Sequence, residues 1–505
     1  MGKQDWRQRH WHLGCGAALF IALVGNWTTA RGVGSEPAPL AEAAKAGAWE
    51  AVVNGIGAGE DVNAPMPDGS TALHWSVYHD HESVTAALIR AGADSSLANR
   101  YGVRPLSIAC QNGNPAIVRL LLDAGADPHT SLPGGETVLH TAARNGSPGC
   151  IAALLDRGAH VDAQERRGQT ALMWAAAEGN VEAVDLLLQA GAAYDHQLPS
   201  GFTAYFFAVR GGHLRVVRRF LQAGVDPNSA MQPQRKVGGG PPSGMSGLLL
   251  AVLNGHFELA VELLQAGAEA NDRRAGYAAL HAVTWVRKPL RGDGDPPPAG
   301  SGSITSLEFV HRIVSQFGGD VNVRHGKAPA GNLRLNKTGA TPFLLAAETG
   351  DLPLLKLLHR LGADPHLVNA DHCTPLLAAC GVGVLSDGDE TAGTEQEAIE
   401  TVKWLLSLGL DINATDDHGN TAMHGAAFKS WSRLAEFLAS HGADRQIWNR
   451  PNSRGWTPLD IARGHRPGNF RPSPEMIETI ERLLGADLPP DSAPAATTAP
   501  GGPTR

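Results

Sequence analysis

The chain predicts an all-α solenoid of paired antiparallel helices joined by hairpin-like fingers, about 11–12 units long. Three observations carry this. First, the segment Thr71-Ala72-Leu73-His74 returns as Arg104-Pro105-Leu106-Ser107, Thr137-Val138-Leu139-His140, Thr170-Ala171-Leu172-Met173 and Thr203-Ala204-Tyr205-Phe206, each 33 residues after the last. Second, a glycine stands two residues before every start (Gly69, Gly102, Gly135, Gly168, Gly201) and another twenty-one after it (Gly92, Gly125, Gly158, Gly191, Gly224). Third, apolar residues recur at helical spacing and end in leucine runs such as Val118-Arg119-Leu120-Leu121-Leu122. A fixed period of this kind marks units that pack on their neighbours in a line.

Each element has a local cause. The leading Thr is suited to cap the first helix by accepting a bond from a backbone N–H. Small pairs such as Ala142-Ala143 and Ala175-Ala176 let first helices stack closely. The leucine run gives the second helix its buried stripe. The glycine that follows stops that helix in a left-handed conformation, and the later glycine turns the finger.

The T-P-L-H-like start, paired alanines and L-L-x-x-G-A-D ending resemble the ankyrin repeat. Further starts at Ser246, Ala278, Thr341, Thr374, Thr421 and Thr457 continue the series, each preceded by its glycine except Thr374, where His372 takes the place. A shorter opening unit uses Ala41–Ala46 and Trp49–Ile56 as its helices. The resemblance covers residues 40–486. It implies protein binding through the fingertips and the exposed ends of the first helices. It also implies that the fourth-position histidines, His74, His140, His281 and His424, bridge neighbouring backbones.

The register is strict over 64–228 and interrupted over 229–486. Excess residues fall at 232–243 and 325–337 in fingers, at 288–303 and 382–396 between paired helices, and at 464–474 in the last unit. Outside the array, Lys3, Arg7 and Arg9, then an apolar stretch from Leu13 to Val24, then Thr28 and Ala30, read as a signal peptide over 1–30. Residues 31–39 read as a linker and 487–505 as a disordered Pro/Ala-rich tail. This start predicts export from a bacterial cell to the periplasm or beyond, with membrane anchoring by an uncleaved segment as the alternative.

Composition narrows function. The net charge of −8 argues against a general nucleic-acid binder. The 21 histidines are spread about one per unit, so no metal site is expected, and no cofactor either. No G-x-S-x-G, H-E-x-x-H, P-loop or C-x-x-C occurs, and no small-molecule substrate is expected. Cys110, Cys150 and Cys380 take core positions, whereas Cys373 lies in a finger and is expected to be exposed, within reach of a bridge to Cys380.

Partner-contact candidates follow from the repeat positions. At helix ends they are Tyr78, His79, Gln111, Asn112, Arg144 and Arg210, with Asn145, Glu178, Glu348, Phe428 and Lys429 beside them. At fingertips they are Arg100, Tyr101, Arg166, Arg167, Arg273 and Arg274, with Lys337 and Arg454. Trp174 and Phe207 are anchors only if exposed. The expected function is a non-enzymatic protein-binding scaffold acting through its concave face and fingers. The alternatives are a structural or protective companion of an exported enzyme and, remotely, an enzyme whose site lies in the inserted loops.

Overall fold

A computed structural model describes residues 38–234, 242–288, 298–326, 335–383, 393–465 and 471–485. The signal segment, the whole of the tail and the middle of each later insertion lie outside these residues. The described residues form 25 helices and no strand, only two isolated β-bridges. The fold is an all-α repeat solenoid.

Twelve helix pairs fall into two compact units. The first, Met1–Ala275 with Pro298–Ile304, holds seven pairs. They are α1 (Pro39–Lys45) with α2 (Trp49–Gly57), α3 (Ala72–Tyr78) with α4 (Glu82–Arg90), α5 (Pro105–Asn112) with α6 (Pro115–Asp123), and α7 (Val138–Asn145) with α8 (Pro148–Asp156). Then come α9 (Ala171–Glu178) with α10 (Val181–Gln189), α11 (Ala204–Gly211) with α12 (Leu214–Gln222), and α13 (Gly247–Leu253) with α14 (Phe257–Gln265). The second unit, Gly276–Pro297 with Thr305–Arg505, holds α15 (Ala279–Arg287) with α16 (Ser306–Ser315), α17 (Pro342–Glu348) with α18 (Leu352–Arg360), and α19 (Pro375–Ala379) with α20 (Glu395–Ser407). Its remaining elements are α21 (Ala422–Lys429) with α22 (Ser432–Ser440), the one-turn α23 (Arg445–Trp448), and α24 (Pro458–Ala462) with α25 (Pro474–Leu484).

The first helix starts earlier than the composition suggests. Ala38 is its N-cap and Pro39 its first residue, because proline's fixed φ and missing N–H suit that position. Residues 38 and 39, read as the end of a linker, thus belong to the first repeat, and 31–37 lie outside the described residues. Caps elsewhere follow the repeat: Thr137, Thr170, Ser246, Thr341, Thr374, Thr421 and Thr457 each accept a bond from the N–H three residues on. Both predicted glycine series are left-handed, as at Gly69 (φ 81°) and Gly92 (φ 91°). A third series ends the first helices at Gly113, Gly146, Gly179 and Gly212. Asp80 (φ 58°) and Ser430 (φ 54°) occupy that place in two repeats and carry the same strained backbone without glycine.

Stacking is close at the first helices. Ala109, Ala142, Ala143, Ala175, Ala176 and Ala208 are fully buried, and so are Leu121, Leu154 and Leu187 from the second helices. Where Gly247 replaces the usual alanine, a Cβ would meet the Tyr205 Oη at 2.3 Å, so the tyrosine fits only against glycine.

The four repeat histidines act as inter-repeat rivets. In His74, Nδ1 accepts from the Thr71 N–H (3.1 Å) and Nε2 donates to the Val103 carbonyl of the next repeat (3.2 Å). His140 joins Thr137 to Gln169, His281 joins Ala278 to Ala340, and His424 joins Thr421 to Trp456 in the same way. A backbone N–H can only donate and a carbonyl only accept, so the neutral Nε2–H tautomer is imposed. Burial pushes the pKa of His74 and of His424 down to about 4 and lowers that of His140.

This predicts acid sensitivity. A pKa lower in the folded state means that the unfolded chain binds more protons, so the contribution is complete above pH 6.5 and is lost as pH falls towards 4. His74 and His424 each contribute about 3 kcal/mol on this scale. Thermal melts from pH 7.5 to 4 are expected to show a falling midpoint across that window. A His74→Asn, His424→Asn double variant is expected to be less stable at pH 7.5 and to have a flatter profile.

Candidate functional site

Tyr78 ends α3 and is 37% exposed, and Tyr101 tips the following finger at 38%. Tyr78 stands edge-on to Trp75 (5.6 Å) and to His79 (5.2 Å), and Lys45 Nζ lies 5.3 Å above Trp75. The tip that carries Arg100 and Tyr101 is pinned from below. Asn99 Oδ1 accepts from the N–H of Tyr101 and of Val103 (both 3.0 Å), and the Arg100 N–H donates to the Asp68 carbonyl (2.9 Å). Both tyrosines are thus presented by ordered backbone with their rings part-exposed. Arg100, Arg166 and Arg167 are exposed as well, although Arg166 Nη2 reaches the Pro133 carbonyl at 3.4 Å.

Other predicted contact residues are occupied within the fold. Asn112 Nδ2 donates to the Val77 and Tyr78 carbonyls (2.8 and 3.3 Å) of the preceding repeat, and His79 Nε2 reaches the Lys45 carbonyl (3.2 Å). Asn145, Asn180, His213 and His256 make the same link from successive repeats. Arg144 bonds to Gln111 Oε1 (3.2 Å), lies 3.6 Å from Glu136 and covers the Trp174 ring at 5.0 Å. Arg210 covers Phe202 and Phe207, both at 5.2 Å, and burial lowers its pKa. Arg274 clasps Asp272 with two 2.9 Å bonds, while Arg273 is exposed beside it.

Several expectations need correction. Trp174 and Phe207 are only 3% and 5% exposed, under the arginines that cover them, so they are not anchors. Phe428 and Lys429 are buried. Cys373 is buried at 2% and is a free thiol, as is Cys380, because the Asn369 side chain folds the finger over it through the Cys373 N–H (2.8 Å). Burial raises the pKa of all four core cysteines. His372 takes the left-handed glycine conformation (φ 54°) beside Cys373, and its ring pairs with Asp417 at 2.9 Å.

Two devices were not read from the sequence. An Asn after four of the second helices clamps the next repeat: Asn63 bonds to the Gly92 carbonyl and the Asp94 N–H, and Asn228, Asn322 and Asn413 repeat this. The D-x-N spacing, as in Asp226-Pro227-Asn228, is the signal that could have shown it. The second is a brace. The described end of the 288–303 insertion lies on the α13–α14 edge, where Ser301 reaches His256 (2.9 Å) and Ser303 reaches Glu258 (2.8 Å). Gly300 meets Gly255 so closely that a Cβ would lie 2.3 Å from its carbonyl oxygen. Among the described residues no group of three or more His, Cys, Asp or Glu is placed to hold a metal ion. No described helix is long and apolar enough to cross a membrane.

The model for three ankyrin repeats matches residues 40–131, 139–231 and 392–487, together more than half of the chain, and the single-repeat model matches 338–370. The chain belongs to the ankyrin-repeat family. It is 30% identical over 125 residues to a putative ankyrin repeat protein of fowlpox virus, covering 21% of this chain and 29% of that one. It is 32% identical over 122 residues to mouse ankyrin repeat and SOCS box protein 16, covering 24% and 25%. A putative E3 ubiquitin-protein ligase of Arabidopsis thaliana is 30% identical over 111 residues, covering 22% and 21%. The chain thus spans less than a third of each relative's length. These relatives are viral, mammalian and plant proteins and give no support to a bacterial, exported origin. One bears an enzyme's name, so family membership alone does not exclude catalysis. Ankyrin repeats in general mediate protein–protein interaction.

Two outcomes are expected of these contacts. Replacing Arg144 or Arg210 by Ala uncovers buried aromatic faces, so each variant should lose roughly 1–2 kcal/mol in denaturant titrations. Mass-spectrometric alkylation of the native protein should leave Cys110, Cys150, Cys373 and Cys380 unmodified until it unfolds.

Proposed function

We propose that the chain is a non-enzymatic scaffold that binds a protein partner through the helix ends and fingertips of its first unit. Tyr78 and Tyr101 are its anchors, and Arg100, Arg166 and Arg167 form a cationic flank. One observation carries this. Most other predicted contact residues along this edge spend their polar groups on neighbouring repeats, whereas the two tyrosines keep exposed rings on ordered backbone. Tyrosine and arginine are the residue types that dominate interface hot spots, and a cationic flank favours an acidic partner face.

Affinity capture with the whole chain, compared with a Tyr78→Ala, Tyr101→Ala double variant, tests the proposal. The captured partner is expected to bind the variant at least about tenfold more weakly while the thermal midpoint stays unchanged. Undiminished binding refutes the assignment of these anchors.

We also propose that residues 1–30 direct export from a bacterial cell, on the basis of the cationic start, the apolar stretch and the Thr28–Ala30 cleavage signature. N-terminal sequencing of the protein from its native source should then begin at Arg31. A chain that retains residue 13–24 peptides would instead be uncleaved.

A further inference from the structure

In the second unit, Trp285 occupies the helix-end place that Tyr78, Gln111, Arg144 and Arg210 occupy in the first, seven residues after its repeat start. Three segments converge on it. Tyr277, just ahead of α15, meets it edge-on at 4.9 Å. From the long finger, His325 lies 6.2 Å away and stacks on Tyr277 at 5.8 Å. From the far end of that finger, Lys337 places its Nζ 4.7 Å over the Trp285 ring.

Two features of this cluster are unsatisfied. The Trp285 Nε1–H is buried and has no acceptor among the described residues. Other indoles of the same array do have one: Trp75 donates to Met66 Sδ (3.2 Å) and Trp174 to Gln169 Oε1 (3.2 Å). A buried donor without an acceptor is left with an uncompensated desolvation cost. Lys337 in turn pairs with no carboxylate among the described residues, whereas Arg287 pairs with Asp351 (2.6 Å) and Lys288 with Glu397 (2.7 Å) close by in the chain. Burial and Lys337 lower the pKa of His325, against the opposing bond from its Nδ1 to the Gly326 carbonyl (2.8 Å), so Lys337 is the cation of this cluster. An indole N–H and one ammonium on the same ring call for an acceptor that carries a single negative charge. A carboxylate fits both. A phosphate dianion ordinarily calls for several cations or a guanidinium fork, and this cluster offers neither.

We infer that Trp285 and Lys337, walled by Tyr277 and His325, form a binding site for an acidic side chain of a protein partner. This rests on the reading of the chain as a protein-binding scaffold, but it concerns a different surface from Tyr78 and Tyr101. The probe is an acetylated, amidated hexaglutamate peptide, with hexaglutamine as control. Full-length protein carrying 5-fluorotryptophan reports each of its 11 tryptophans by fluorine NMR, and Trp285→Phe assigns the Trp285 line. That line is expected to shift saturably with hexaglutamate and not with hexaglutamine. In Lys337→Gln the peptide should bind at least about tenfold more weakly with the other lines in place. The shift should persist in the Tyr78→Ala, Tyr101→Ala variant, which separates this site from the first surface. No Trp285 shift, an equal shift with hexaglutamine, or an unchanged titration in Lys337→Gln overturns the assignment.

Discussion

No helix pair of this chain can bury its own apolar face, and everything else in the structure answers to that constraint. The leucines of one pair, such as Leu121 or Leu154, reach zero exposure only because the next pair lies against them. Close approach requires small residues where first helices meet, hence the buried alanine pairs and Gly247 under Tyr205. It also leaves backbone groups at each junction that must find partners. The histidine rivets, the helix-end asparagines and the post-helix asparagine clamps supply them, each reaching from one repeat to the next. Stability in such a stack is a sum of local interfaces.

The same constraint explains which part of the surface is left for function. A polar residue at a helix end is as useful to the adjacent repeat as to a partner. Asn112, Arg144 and Arg210 look like contact residues in the sequence and serve as links or covers in the fold. Tyr78 and Tyr101 differ in having rings that no neighbour covers completely. The described parts of the insertions also serve the stack: Ser301 and Ser303 brace α14, and Lys288 reaches Glu397 across three repeats.

Periodicity made the fold legible. Starts, caps and glycines predict twelve pairs with boundaries that move by only a few residues, as at Pro39. Exposure was less legible because it depends on the neighbouring repeat. Cys373 sits in a finger, where thiols are ordinarily accessible, yet Asn369 ties that finger over it. Trp174 lies midway along α9, and an arginine one repeat back in the sequence covers it. The unsatisfied Trp285 indole could not be read at all, since two of the residues around it, His325 and Lys337, come from a finger insertion with no fixed register.

Hydrogen exchange measured by mass spectrometry on an Asn145→Ala variant tests the central claim most directly. Asn145 links its repeat to the Cys110 and Gln111 carbonyls, so faster deuterium uptake is predicted in α5 to α8. Uptake in α13 and α14, three pairs away, should stay as in the parent chain. Unchanged exchange in α5 to α8, or acceleration spread evenly through both units, would contradict a stack held by nearest-neighbour links.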